Sequence, residues 1–113
     1  MINWDEMVAR LPGTILSEPG ERFAISVMVK GKPKGIAWTW MERAEPKKAK
    51  VENLGVLAIR TPSVMARDLL IESDPVVFFT EPHYANYPAV LVRLDKIGAE
   101  ELEALLLEAA HLK

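Results

Sequence analysis

The fold is decided by residues 22–41, which read Arg-Phe-Ala-Ile-Ser-Val-Met-Val-Lys-Gly-Lys-Pro-Lys-Gly-Ile-Ala-Trp-Thr-Trp-Met. Apolar side chains alternate along the chain from Phe23 to Val29 and again from Ile36 to Trp40, which is the pattern of half-buried strands. Between them, residues 30–35 contain two glycines and a proline, which are typical of chain reversals. The stretch therefore predicts an antiparallel hairpin with strands over residues 22–29 and 36–41.

Further elements are predicted on both sides of this hairpin. Capping patterns and apolar side chains at helical spacing predict helices over roughly Trp4 to Leu11, from an N-cap at Thr61 through Leu69, and from about Ala99 to Leu112. Strands are predicted over Val56 to Ile59 and Ala89 to Leu94, and a short turn is favoured over a strand for Val76 to Phe79. Because short connections force neighbouring strands to pair antiparallel, we expect an α+β fold: a two-layer sandwich, an antiparallel meander sheet with helices packed on one face.

The composition limits the kinds of protein this chain can be. Its 113 residues fit one domain over residues 1–113, and half of them are apolar, as in soluble globular proteins. There is no cysteine, which excludes disulfides and thiolate metal sites. The N-terminus is acidic and no apolar run approaches the roughly 20 residues of a membrane span, so we expect a cytoplasmic protein with no membrane association.

Motifs for catalysis or cofactor binding are not apparent. His83 and His111 lie far apart in the sequence without further ligand spacing, and no serine has the setting of a hydrolase nucleophile. The adjacent carboxylates Glu100 and Glu101 fit the first turn of a helix, where the helix dipole favours negative charge. We therefore expect a protein that is not an enzyme, with no metal site, no catalytic residues and no cofactor.

Charge is distributed unevenly along the chain. The formal net charge is -2, but residues 30–50 carry seven basic and two acidic residues, and the rest of the chain is strongly acidic. The basic residues flank the predicted strand over residues 36–41, in two loops that a strand of that length would hold roughly 20 Å apart. Such loops can contact the phosphates of one duplex; alternatively, lysines at hairpin tips keep a protein soluble and protect sheet edges from pairing.

Several motifs together resemble the MmcQ/YjbR family. They are Leu11-Pro12-Gly13, Gly31-Lys32, residues 36–40, Pro46-Lys47-Lys48 and, most specifically, the long motif Ser73-Asp74-Pro75-x-x-Phe78-Phe79-Thr80-x-Pro82-His83-Tyr84-x-x-Tyr87-Pro88 followed by residues 89–94. The resemblance implies a compact α+β domain related to CyaY-like architectures, and a predicted DNA-binding function with a double-wing motif. Pro33-Lys34 departs from the usual hairpin pattern of the family, which predicts a longer or differently turned tip.

Two functional hypotheses follow. The first is a small non-enzymatic DNA-binding protein that contacts phosphates weakly and largely non-specifically through its basic hairpin loops, at Lys30, Lys32, Lys34, Arg43, Lys47, Lys48 and Lys50. If about four phosphates are neutralised, log affinity should fall with log salt at a slope near -3.6. The alternative is a protein-interaction or small-ligand-binding module that uses the sheet face or the loop from His83 to Tyr87, at Trp38, Trp40, His83, Tyr84 and Tyr87.

Overall fold

The computed structural model describes residues 2–42 and 51–112, with side chains described for 2–41 and 55–112. Its elements follow the chain in the order α1 (Trp4–Ala9), β1 (Thr14–Leu16), β2 (Ala24–Val29), β3 (Lys32–Glu42), β4 (Val51–Arg60), α2 (Val64–Ser73), β5 (Phe78–Phe79), a short 3-10 turn (Pro82–Tyr84), β6 (Ala89–Arg93) and α3 (Ala99–Ala110). None of the helices in these ranges has the length and apolarity that a membrane crossing requires.

Within the described part of the chain, six strands form one sheet in the order β1-β2-β3-β4-β6-β5. Every neighbouring pair is antiparallel, as predicted. The first four strands form the expected meander. The last two do not continue it, because β6 and not β5 lies next to β4. After α2 the chain forms β5 at the sheet edge, and β6 then returns to pair with β4.

The hydrophobic core lies between the helices and one face of the sheet. Leu57 and Ile59 of β4 point to this face, and all three helices contribute side chains to the same apolar cluster. From α3, Leu102 and Leu106 are completely buried there, which confirms the apolar stripe predicted for the last helix. The predicted fold class, α+β with two layers and helices on one face, is therefore confirmed.

The hairpin between β2 and β3 is tighter than predicted. β3 begins at Lys32 rather than Ile36, so the turn consists of Lys30 and Gly31 alone, with φ values of 51° and 78°. Positive φ at both central residues is typical of the two-residue turns that match the twist of a hairpin. Pro33 is tolerated because β4 pairs with β3 only from Ala37 onward, so this part of β3 is bonded to β2 alone.

The start of α2 also differs from the prediction. The N-cap is Ser63, whose Oγ accepts a hydrogen bond from the N–H of Ala66 at 3.0 Å, and not Thr61. The backbone N–H of Thr61 donates instead to the Pro88 carbonyl at 2.8 Å, which continues the line of β4. Strand pairing thus keeps Thr61 out of the helix, and β4 is longer than the predicted Val56 to Ile59.

Two short strands escaped the sequence prediction. The turn predicted for Val76 to Phe79 is wrong for its last two residues, because Phe78 and Phe79 form β5 and pair with Val92 and Leu91. A turn does precede them, and the side chain of Asp74 accepts from the Val76 N–H within it. β1 is only three residues long, too short for a periodic pattern to be recognised.

Candidate nucleic-acid interface and the aromatic face of the sheet

Three of the predicted DNA-binding lysines lie on the β2–β3 hairpin. Lys30 is in the turn and exposed, Lys32 is exposed, and Lys34 is half-buried. Lys32 lies opposite Val29 and Lys34 opposite Val27, and directly opposed residues share a face of the sheet. The predicted loop lysines Lys32 and Lys34 are therefore strand residues, and both project from the side of the sheet that carries the helices.

The second predicted basic loop contains Arg43, Lys47, Lys48 and Lys50, and these residues lie outside the described part of the chain. The strand ends that flank it are described, since Glu42 of β3 pairs with Val51 of β4. β3 is eleven residues long but bulges at Ile36, where its pairing with β2 shifts by one residue, so its two ends are at most about 30 Å apart. The separation of roughly 20 Å expected from the shorter predicted strand is wrong for this reason.

The helix layer is acidic. The single basic residue within the bounds of the three helices is Arg67, whereas the acidic residues in the same bounds are Asp5, Glu6, Asp68, Glu72, Glu100, Glu101, Glu103 and Glu108. Arg67 is buried, so it offers little positive charge to the surface. The hairpin turn and the adjoining start of β3 thus carry lysines without a carboxylate, while the outer surface of the helices is dominated by carboxylates.

The opposite face of the sheet carries an aromatic cluster, which we call the aromatic face: Trp38, Trp40, Phe79, Tyr84 and Tyr87. The two tryptophans of β3 point away from the helices and pack with a small aliphatic cluster of β4 and β6. The ring of Trp40 meets that of Phe79 edge-on at 5.7 Å between centroids. These side chains are half-buried, apart from Tyr87, which is 43% exposed.

The segment from Pro82 to Pro88 covers part of this face. The indole Nε1–H of Trp38 donates to Tyr84 Oη at 3.2 Å, and the ring of Tyr87 stands edge-on to Trp38 at 6.1 Å. His83 is exposed and contacts the ring of Tyr84 edge-on at 5.7 Å. The structure therefore brings Trp38, Tyr84 and Tyr87 together, joins Trp40 to them through the same cluster, and leaves His83 at its rim.

Sequence reasoning missed the residue that holds this segment. Arg67 of α2 is 4% exposed, and its guanidinium donates to three backbone carbonyls of the segment: Tyr84 at 2.6 Å, Ala85 at 3.1 Å and Tyr87 at 3.2 Å. It also donates to the neighbouring Asp68 carboxylate at 3.0 Å. An arginine on a helix normally indicates a solvated face, but Arg67 precedes Leu70 and Ile71 by three and four residues, which places it on the apolar side of the helix.

Two further charged side chains accompany the aromatic face. Arg60 follows Val56 and Ala58 on the same side of β4, and its Nε and Nη1 atoms are buried without a hydrogen-bond partner among the described residues. Glu81, two residues beyond Phe79 in extended backbone, has a buried Oε1 in the same condition. Buried polar atoms are normally paired, directly or through water, so all three atoms are positioned to bind water or a polar ligand.

Arg93 differs from Arg60 in being well bonded. Its guanidinium carbon lies 4.1 Å from the centre of the Phe79 ring, and its Nη1 donates to the carbonyl of Val76 at 3.1 Å. Arg10, which follows α1, donates from Nε to the carboxylate of Glu103 on α3, and this hydrogen bond raises the pKa of the arginine. Both arginines thus serve to connect elements of the fold.

The described residues contain no group of three side chains that could together hold a metal ion. The Nδ1 atom of His111 lies 2.8 Å from the Leu107 carbonyl oxygen, at the C-terminal end of α3. Glu100 and Glu101 occupy the first turn of α3, the position expected from the helix dipole.

No family model matches the chain. It is 43% identical over 54 residues to uncharacterized proteins Rv2570 and MT2646 of Mycobacterium tuberculosis and Mb2600 of Mycobacterium bovis. That match covers 48% of this chain and 42% of each relative, so it spans less than half of their length.

A solved structure has a similar fold. It is the crystal structure of Deinococcus radiodurans protein DR2400, described as a DUF419 domain, with a TM-score of 0.63 at 18% identity. The superposition covers 94% of this chain and 72% of that one. At this level of identity the likeness shows the fold, and a fold by itself does not assign a function.

Proposed function

We propose that this chain is a small non-enzymatic DNA-binding protein of the MmcQ/YjbR type that contacts backbone phosphates through its basic hairpins. The observation that carries the proposal is the uneven distribution of charge between elements: the turn and start of β3 carry lysines and no carboxylate, whereas the helices carry eight carboxylates and one buried arginine. An acidic body is repelled by a polyanion, so it turns the basic end of the molecule toward the DNA. Binding is weak and largely non-specific, because lysine acts as a point charge and phosphates carry no sequence information.

The length of β3 suits this role. The separation between its ends, at most about 30 Å, is somewhat less than one turn of duplex DNA, about 34–36 Å. Lys30 and Lys32 mark one end; the other end is Glu42, and the next eight residues of the sequence include four basic residues and one glutamate. The DUF419 fold, which is related to that of the MmcQ/YjbR family, is consistent with this assignment. A cytoplasmic location and the absence of a cofactor are part of the proposal.

Fluorescence anisotropy of a labelled duplex, measured over a series of salt concentrations, tests the proposal. We expect binding at low salt and a linear fall of log affinity with log salt. Replacement of Lys30, Lys32 and Lys34 by Ala should weaken binding and make the slope shallower by about 2.7, since each lost phosphate contact removes about 0.9.

Lys96 provides the matched control, because it is an exposed lysine in the connection between β6 and α3, away from the hairpin. Lys96→Ala should leave both the affinity and the slope unchanged. A second triple variant, with Lys47, Lys48 and Lys50 replaced by Ala, tests the other basic segment. The proposal is wrong if the wild-type chain does not bind duplex DNA at low salt, or if the hairpin variant binds as tightly as Lys96→Ala.

A second candidate function is a small-ligand site on the aromatic face. It is favoured by the buried atoms of Arg60 and Glu81 that have no hydrogen-bond partner among the described residues and lie on the side of the sheet that carries half-buried aromatic rings. Nucleoside monophosphates are suitable probes, because a base can stack on aromatic rings and a phosphate pairs with arginine. Binding should shift the NMR signal of the Trp38 indole N–H, and Arg60→Met should abolish the shift. An unchanged indole signal at millimolar nucleotide would contradict this candidate.

A further inference from the structure

The most exposed of the large apolar side chains described in the helices lie side by side on α2. Met65 is 73% exposed and Leu69 is 60% exposed, and residues four apart lie next to each other on a helix surface. Single exposed apolar side chains are common on protein surfaces. Neighbouring ones that form a patch more often mark a binding site for another molecule. Neither residue has a role in the DNA interface or on the aromatic face.

Next to these side chains, a groove runs between α2 and α3. It has a volume of about 340 Å³ and is lined mainly by apolar residues, among them Pro62, Ala66, Leu70 and Leu105. Leu69 lines its edge, so the exposed side chains and the groove form one continuous apolar surface. We call this surface the α2–α3 groove. Methionine adapts its shape readily, which suits a surface that receives side chains of a partner.

The charges beside the groove favour one kind of occupant. Glu108 lines the groove, and the exposed Glu72 follows Leu69 by three residues, which makes the two neighbours on the surface of α2. None of the described residues that line the groove is basic. These carboxylates repel nucleic acid and anionic lipid headgroups, and a two-fold contact with a second copy would bring the same carboxylates together. A partner with an apolar stripe flanked by basic residues can pack its apolar side chains in the groove and pair its basic side chains with the carboxylates beside it.

We propose that the α2–α3 groove binds a basic amphipathic helix of a partner protein, whose apolar side chains enter the groove while its lysines or arginines face Glu72 and Glu108. Recognition of an amphipathic helix in an apolar groove is a common mode of peptide binding. The groove lies in the acidic helix layer and the proposed DNA contacts lie on the hairpin, so the two sites use different residues. The partner site therefore does not depend on the DNA-binding function.

The experiment uses two fluorescein-labelled model peptides with the same leucine stripe, one with lysine and one with glutamate at every polar position. Anisotropy is measured with the whole chain. We expect the lysine peptide to bind and the glutamate peptide to bind at least about 10-fold more weakly, which is a difference of about 1.4 kcal/mol. The double substitution Met65→Ser/Leu69→Ser should weaken binding of the lysine peptide by at least about 10-fold.

Leu107→Ser is the matched control, because Leu107 is 40% exposed on α3 and does not line the groove. This variant should bind the lysine peptide as the wild-type chain does, and melting curves should show that both serine variants are folded. Equal binding of both peptides, no binding of the lysine peptide, or equal losses in the two serine variants would overturn the proposal. A dimer in sedimentation that Met65→Ser/Leu69→Ser dissociates would overturn it as well, in favour of a second copy. The Lys30, Lys32 and Lys34 variant should keep the peptide affinity whether or not it binds DNA.

Discussion

The two faces of the sheet are covered in different ways. On one face, three helices bury aliphatic side chains such as Leu57 and Leu106, and the cover is held by hydrophobic packing. On the other, a short irregular segment lies over aromatic rings and is held by directed hydrogen bonds from Arg67 and Trp38. A loop must satisfy its backbone carbonyls when it covers a sheet, whereas a helix satisfies its own. This difference explains why a buried arginine is needed on the second face.

Adjacent phenylalanines test the comparison most strongly. Phe78 points to the helix-covered face and is 1% exposed, whereas Phe79 points to the aromatic face and is half-buried beside Arg93. We expect Phe78→Ala to lower the free energy of unfolding by about 4 kcal/mol. Phe79→Ala should cost about half as much, about 2 kcal/mol, because less of its area is buried. Urea denaturation measures both, and equal costs would show that the two faces are packed alike.

Arg67 is expected to give the next largest effect. Arg67→Met keeps the aliphatic part of the side chain but removes the donors to three carbonyls, which should cost about 3 kcal/mol. Amide hydrogen exchange over residues 82–88 should also accelerate. Asp68→Asn is the control, because Asp68 is exposed and its pairing with Arg67 should contribute less than about 1 kcal/mol. If Arg67→Met is as stable as Asp68→Asn, the arginine does not hold the segment.

A smaller loss of stability is expected when the hydrogen bond between Trp38 of the sheet and Tyr84 of the covering segment is removed. Tyr84→Phe removes the acceptor of the Trp38 indole N–H but keeps the ring, which should cost about 1 kcal/mol. The indole proton of Trp38 should then exchange faster with solvent. His83→Ala, at the exposed rim of the same segment, should change the stability by less than about 0.5 kcal/mol. Reversed magnitudes for these two variants would place the anchor of the segment at His83.

The smallest change is expected in the hairpin turn. Lys30 has a φ of 51°, a conformation that asparagine adopts more readily than lysine. Lys30→Asn should therefore leave the free energy of unfolding unchanged or raise it by a few tenths of a kcal/mol, while lowering DNA affinity. A loss of stability would show that the lysine side chain supports the fold and does not serve binding alone.

Elements with long regular patterns could be predicted from the sequence. The alternation around the β2–β3 hairpin and the stripe of α3 predicted the pairing of these strands, the last helix and the two layers, although not the bounds of β3, because periodicity follows directly from which face is buried. β5 could not be recognised, since two residues carry no period and Phe78 and Phe79 belong to opposite faces. The cap at Ser63 was displaced from Thr61 by strand pairing with Pro88, which is a contact between distant parts of the chain.

The candidate sites were predictable to different degrees. Lysine positions are visible in the sequence, but their separation depends on the length of β3, which only its pairing with β2 and β4 reveals. Four of the aromatic residues proposed for a ligand site do lie on one face. Arg60 and Glu81 were not anticipated, because burial of a charged side chain depends on what is packed above it.

The most direct test of the central claim, that DNA meets the basic hairpin and avoids the acidic helix layer, is a chemical-shift titration. Uniformly 15N-labelled protein would be titrated at low salt with a short duplex, and backbone amide shifts followed residue by residue. The largest changes should fall on residues 29–35 and on the strand ends at Glu42 and Val51, with α3 unaffected. Shifts concentrated on α3, or none on residues 29–35, would contradict the account.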